Sequence, residues 1–351
     1  MKLYKIKLLF TNVIWRVLFL STLLLVVGCD EDSDDDDDLV GNWFELSDFE
    51  GVPRTDAVAF TIGSKAYLGT GYDGEDRLND FWEYDLTTNQ WIRKADFPGA
   101  PRNGAVGFGT STHGYIGTGY DGVDKLNDFW EYDPNQDTWT QISDFASTPR
   151  YGAISFSINN MGYVGTGYDD NDLKDLWMYD PSIDMWEQKS SLGGGKRRDA
   201  AAFVINGKGY VCTGIDNGIY ENDFWEYDPD QDQWTGKRAI SNESDDEYDD
   251  EYSNITGINK VAFAINEKGY LATGGKSTAE TTVWEYDPTT DLWKKRTSLE
   301  AQGRIEAVGF AIGNYGYITT GRNSSFYFDD IWGFDPDVEQ VDLDKTSIVA
   351  P

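Results

Sequence analysis

From Ala105 the chain alternates short apolar runs with turn-forming clusters. Ala105 to Gly109, Tyr115 to Gly117, Phe129 to Tyr132 and Trp139 to Ile142 are rich in aromatic and β-branched residues, which suit a pleated, half-buried surface. Thr112-His113-Gly114 and Asp133-Pro134-Asn135-Gln136-Asp137 separate these runs and supply residues that reverse a chain. Four runs joined by turns predict a four-stranded antiparallel meander. After Val27 no stretch sustains a helical period, so the predicted class is all-β.

The meander recurs. Aligning on an Arg (once Gly) that precedes each first run places repeats at Arg54, Arg102, Arg150, Arg197, Gly257 and Arg304, with periods of 48, 48, 47, 60 and 47 residues. Periods near 50 mark a propeller or a solenoid. Tryptophan spacing counts the units. One set falls at Trp82, Trp130, Trp177, Trp225, Trp284 and Trp332, and a second at Trp43, Trp91, Trp139, Trp186, Trp234 and Trp293. Within a unit the second follows the first by nine residues, except after Trp332, where Val341 occupies that place. Trp43 lies eleven residues before Arg54, as Trp91 does before Arg102. The N-terminal segment is therefore expected to supply the outer strand of the last blade, with a strand around Val341 as the rival occupant. Such closure hides the sheet edges of a ring.

Each unit also carries a Tyr on the second strand and glycines closing it: Tyr67 with Gly69 and Gly71, Tyr115 with Gly117 and Gly119, Tyr163 with Gly165 and Gly167. Later units drift to Cys212 and Gly214, to Gly274 and Gly275, and to Gly321 alone, while Tyr210, Tyr270 and Tyr317 remain. Over residues 42–341 the chain thus resembles a kelch-repeat β-propeller, the family that includes the galactose oxidase propeller. That resemblance implies a β-propeller, and two tryptophans per unit make it six-bladed, with four-stranded antiparallel blades and closure by the strand around Trp43.

Composition adds an address. Lys2, Lys5, Lys7 and Arg16 precede the apolar run Val17 to Val27, then Gly28 and Cys29, the order of a secretory signal. The eleven residues of that run fall short of the roughly 20 that span a bilayer. Val26-Val27-Gly28-Cys29 resembles a bacterial lipobox, which implies lipidation of Cys29; an ordinary cleaved signal is the alternative. Residues 29–41 read as an acidic tether, with eight acids among residues 30–38, too charged to collapse. Fully extended at 3.3 to 3.6 Å per residue, that run would span about 30 Å. It resembles the surface-export signal of certain bacterial lipoproteins, although Asp30 beside the cysteine resembles an inner-membrane retention signal. The expected location is a lipid-anchored protein of the outer membrane, exposed at the surface, with residues 342–351 as a tail. A net charge of −33 would repel nucleic acid.

In a meander, the second-to-third and fourth-to-first connections share one face, and here those are the long ones. Binding residues are expected on such loops: Arg54, Arg102, Arg150, Arg197 and Arg304 before the first strands, with Tyr72, Asp73, Tyr120, Asp121, Tyr168, Asp169, Asp216 and Arg322 from the loops. Guanidinium forks suit carboxylates, so an acidic ligand or a glycan in the mouth is one reading. The other is that each Arg pairs with an Asp inside its blade.

The loops Asp73 to Asp76 and Asp169 to Asp172 hold oxygens that calcium would accept, without EF-hand spacing; solvated acidic loops are the plainer reading. Residues 242–253 lengthen one connection with acids and are expected to be a disordered loop, or else a partner arm or lid. His113 falls in a turn, and Cys212 replaces a repeat glycine as a buried thiol. One His and two Cys cannot build the copper site of galactose oxidase. A surface binding or interaction module for a glycan or protein ligand is therefore expected. A sialic-acid mutarotase, which shares the propeller and would use carboxylates such as Glu75, is the alternative that the resemblance implies. A purely structural scaffold is the third reading.

Overall fold

The computed structural model describes residues 39–340. The expected signal, Cys29 as the expected lipidation site, Val341 and the tail lie outside them.

Six four-stranded antiparallel sheets follow one another along the chain. Blade 1 comprises Val58–Ile62, Lys65–Gly69, Phe81–Asp85 and Gln90–Arg93, and the innermost strands of blades 2 to 6 are Val106–Gly109, Ile154–Ile158, Ala201–Ile205, Val261–Ile265 and Val308–Ile312. These inner strands pack against one another in a closed ring, blade 1 meeting blade 6. The strands are short because each repeat spends only four or five residues on a pleated segment before a turn signal stops it.

Blade 6 is completed by the N-terminal strand Val40–Glu45, which pairs antiparallel with Ile331–Glu339 so that Trp43 faces Phe334. The tether expected to run to residue 41 therefore gives way to strand at Val40. Trp43 is fully buried, and its indole N–H donates to Thr297 O of blade 5 at 3.1 Å. Trp139, Trp186 and Trp234 make the same bond to Ala95 O, Ser143 O and Ser190 O, each in the preceding blade. Trp43 thus does for the last blade what the fourth-strand tryptophans do in blades 2 to 4.

Between blades, a Phe from one inner strand lies over the glycine of a Gly-Tyr step in the next. Phe108 covers Gly162 and Phe156 covers Gly209, where a Cβ would collide with the ring. The following tyrosines, Tyr163 and Tyr210, stack on the Phe of their own blade at 5.1 and 5.4 Å. Burying a Phe or Tyr of this kind contributes on the order of 2 kcal/mol, and the six-fold recurrence spreads the core around the ring as six aromatic clusters.

The acidic insert is ordered, which corrects the expectation of a disordered loop. Asp249 is buried and accepts from Ser244 Oγ at 2.9 Å and Ser244 N at 3.0 Å. Tyr252 packs edge-on against Trp284 at 5.8 Å, and its hydroxyl accepts from Trp293 N at 2.7 Å. Apolar anchors within the acidic run, Tyr252 and the neighbouring Ile255, hold it to blade 5.

Candidate functional site: the long-loop mouth

The five repeat arginines do not line the mouth. Arg54, Arg102, Arg150, Arg197 and Arg304 are all 0% exposed. In blade 2, Arg102 Nη1 and Nη2 donate to Asp128 Oδ1 and Oδ2 at 2.6 and 2.8 Å. Nη1 also donates to Thr118 O at 2.9 Å and Nε to Ala100 O at 2.9 Å. The same set joins Arg54 to Asp80, Arg150 to Asp175 and Arg304 to Asp330, and Arg197 meets Asp223 at 2.5 Å. A third-strand Trp completes each set by donating to that Asp, as Trp130 Nε1 does to Asp128 at 2.8 Å. Desolvation pushes the Asp128 carboxyl up, but the Arg102 hydrogen bond and charge outweigh it and hold the group below the usual range. With four of its five N–H groups bonded inside the blade and no exposed surface, the Arg102 guanidinium is closed to a ligand.

Blade 5 departs from this plan. Gly257 stands where the others have Arg, and Lys260, the residue before the inner strand, reaches the equivalent carbonyl, Thr273 O, at 2.9 Å and Glu280 at 3.3 Å. Burial drives the Lys260 pKa down against the pull of Glu280.

The mouth is built by the residue two places after each of these positions: Asp56, Gly104, Gly152, Asp199, Asn259 and Glu306. All six are left-handed, with φ between 50 and 62°. They are joined around the ring by backbone bonds: Asp56 N to Glu306 O, Gly104 N to Asp56 O, Gly152 N to Gly104 O, Asp199 N to Gly152 O and Asn259 N to Asp199 O, at 2.9 to 3.1 Å. A Glu in this conformation is unusual; its carbonyl is held by Asp56 N and its carboxylate by Arg322. Below the ring, alanines 57, 105, 153, 200 and 307 begin a channel along the axis. At the ring itself a vestibule of about 260 Å³ opens.

The vestibule is lopsided. Blades 4, 5, 6 and 1 offer Asp199, Asn259, Glu306 and Asp56, whereas blades 2 and 3 offer glycines with Tyr151 and Asn103 beside them. Gly152 makes the room that Asp199 uses, since a Cβ there would run into Asp199 Oδ1. Asn103 Nδ2 donates to Asp56 at 3.2 Å, and Arg198 Nε lies 3.6 Å from Asp199. Burial, then the nearby Glu306 and Asp199, pushes Asp56 up to about 8. Burial against the opposing pull of Arg198 pushes Asp199 up to about 7.

Of the other expected site residues, Tyr72, Tyr120 and Tyr168 sit half-buried on the rim. Asp73 and Asp121 are turn anchors: Asp121 Oδ1 accepts from Val123 N and Asp124 N, bonds that hold it below the usual range. Asp169 accepts from Asn171 N and Thr148 Oγ1. Arg322 is clamped by both oxygens of Glu306 at 2.7 and 2.9 Å. Among the described residues no group of three or more His, Cys, Asp or Glu is placed to hold a metal ion. The four vestibule residues Asp56, Asp199, Asn259 and Glu306 escaped the sequence reading, although one signal was present: they replace a turn glycine at one register position.

Comparison with known proteins agrees with the propeller fold. A family model described as the KLHDC2/KLHL20/DRC7 Kelch-repeats domain matches residues 42–150, and one described as the Kelch motif matches residues 196–236. A solved structure titled "Structure of YjhT" superposes with a TM-score of 0.69 at 18% identity, covering 82% of this chain and 95% of that one. A search of the curated proteins returned no match.

Proposed function

Because this chain is a kelch-repeat β-propeller, a fold that serves as a binding scaffold, we propose that it is a carbohydrate-binding module that takes its ligand in the vestibule of the long-loop mouth. One observation carries the reading: a polar arc of Asp56, Asp199, Asn259 and Glu306 faces a tyrosine-bearing wall across a cavity the size of a small ligand. Carboxylates and an amide accept and donate to hydroxyls, while an aromatic wall covers the apolar face of a sugar ring. The cations at and beside the vestibule are already spent, Lys260 on Thr273 O and Glu280, Arg322 on Glu306 and Arg198 on Asp172. A neutral, hydroxyl-rich ligand therefore fits better than an acidic one. The address in the sequence supports a lipid anchor at Cys29 that displays the propeller at the outer membrane surface.

The test is a glycan array probed with the full mature chain, Cys29 changed to Ser for solubility, beside its Asp199→Asn variant. Selective binding that the variant loses is the expected result. No binding above background by a folded protein would remove the proposal. For the anchor, radiolabelled palmitate should enter the parent protein and not Cys29→Ser.

A second reading, sugar mutarotation, is favoured by Asp56 and Asp199, whose pKa values of about 8 and 7 suit proton transfer near neutral pH. Anomer exchange followed by NMR on N-acetylneuraminate and on neutral aldoses decides it. A rate equal to that of buffer eliminates the enzyme.

A further inference from the structure

The vestibule is bordered by a belt of rings and cations that runs along the rim from blade 6 to blade 4. Tyr327 and Tyr72 are 6.5 Å apart between centroids. Arg77 lies 5.4 Å from the Tyr72 ring and 4.8 Å from that of Tyr120. Tyr120 meets Tyr151 at 5.9 Å, Tyr151 meets Tyr168 at 5.5 Å, and Arg198 sits 5.0 Å over Tyr168. The belt has a structural origin. In each blade a residue of the fourth-to-first connection forms a bridge with the residue after the second-strand glycine, as Asn103 does with Tyr120 and Tyr151 with Tyr168. Those two positions are brought side by side at every rim.

Two features make the belt more than decoration. The hydroxyls of Tyr72 and Tyr120 donate to Gly74 O and Gly122 O of their own loops at 2.7 and 2.8 Å, so their rings are already held before any ligand arrives. Rigid tyrosines give contact area at little entropic cost. At blade 5 the bridge itself carries no ring, since Ile258 pairs with Gly275; there the loop instead sets Lys276 5.8 Å from the Tyr220 ring of blade 4. Tyr151 belongs to both features, since it lines the vestibule and stands mid-belt.

We infer that the ligand is an oligosaccharide engaged by its end, with one terminal sugar between Tyr151 and the polar arc and the next sugars lying on the tyrosines of blades 1 to 3. The inference rests on the carbohydrate reading above. The polar arc sits at the starts of the inner strands, beneath the rim, with a ring of alanines below it. A sugar within a chain would have to bring both neighbours down and back up past the belt, whereas a terminal sugar brings only one.

The experiment compares, for glucans, mannans and chitin oligomers, the monosaccharide, the tetrasaccharide and a chain of about 20 sugars, by calorimetry on the full mature chain. In the series that binds, the tetrasaccharide should bind about tenfold more tightly than the monosaccharide, as one or two added ring contacts supply. The long chain should match the tetrasaccharide per mole of chain. Tyr120→Ala and Tyr72→Ala, both on the rim, should cost most of the tetrasaccharide gain and leave monosaccharide affinity unchanged. Equal affinity for monosaccharide and tetrasaccharide, or affinity that keeps climbing in proportion to length, overturns end recognition. Failure of every saccharide to bind removes the carbohydrate reading itself.

Discussion

Arg102 and Asp128, 26 residues apart, form a two-pronged ion pair in which the guanidinium is sealed from solvent and also ties down Thr118 O. The bond fastens the first-strand lead of a blade to the lead of its third strand, so it acts as a clasp across the long-loop face. Arg102→Met should leave a carboxylate and a carbonyl without their donor and cost about 3 to 5 kcal/mol, read from denaturant unfolding. Glycan affinity of the folded fraction should not change, because the side chain does not reach the vestibule.

Trp43→Ala tests closure. The side chain is fully buried between the outer strand and blade 5, and removing a buried Trp costs about 3 to 5 kcal/mol. Amide exchange along Ile331–Glu339 should accelerate before exchange in blade 3, because Val40–Glu45 covers that edge.

The vestibule carboxyls give stability a pH dependence of their own. An unfolded Asp titrates near 3.9, while Asp56 titrates at about 8 when folded. Between those values the folded state holds a proton that the unfolded state has released, so stability falls as pH rises through that window. Asp56→Asn removes the penalty, and its gain in unfolding midpoint over the parent should be larger at pH 9 than at pH 5. Asp128, held below its ordinary pKa, acts in the opposite direction: its contribution is present above the ordinary value and lost as pH falls through the folded one.

Gly152→Ala and Gly104→Ala form a matched pair. Both sites are left-handed, with φ of 62 and 60°, so each substitution should cost about 1 kcal/mol. Only at Gly152 does the new methyl displace Asp199, whereas at Gly104 its nearest contact is Tyr151 Cβ at 3.4 Å. Saccharide binding should therefore drop about tenfold or more for Gly152→Ala and stay near the parent for Gly104→Ala, measured on the same array.

Much of the architecture was legible because each blade is a local object. Turn residues, aromatic runs and the nine-residue tryptophan spacing all act within some 50 residues, and Trp43 declared its place by the same spacing rule. The insert was misread because charge count hides its anchors: a few apolar side chains, Tyr252 among them, outweigh the acids around them once blade 5 is there to receive them.

The sequence by itself determined the number of blades, their strand order and the strand that closes the ring, since those follow from periodicity and short-range spacing. Tertiary structure alone decided which charged groups meet the solvent. Whether Arg102 faces a mouth or an aspartate depends on two strand leads being brought together across a blade. Asp56 and Asp199 become one site only because blades 1 and 4 face each other across a closed ring. Burial and the neighbouring Glu306 carboxylate, which no linear pattern encodes, push both groups up.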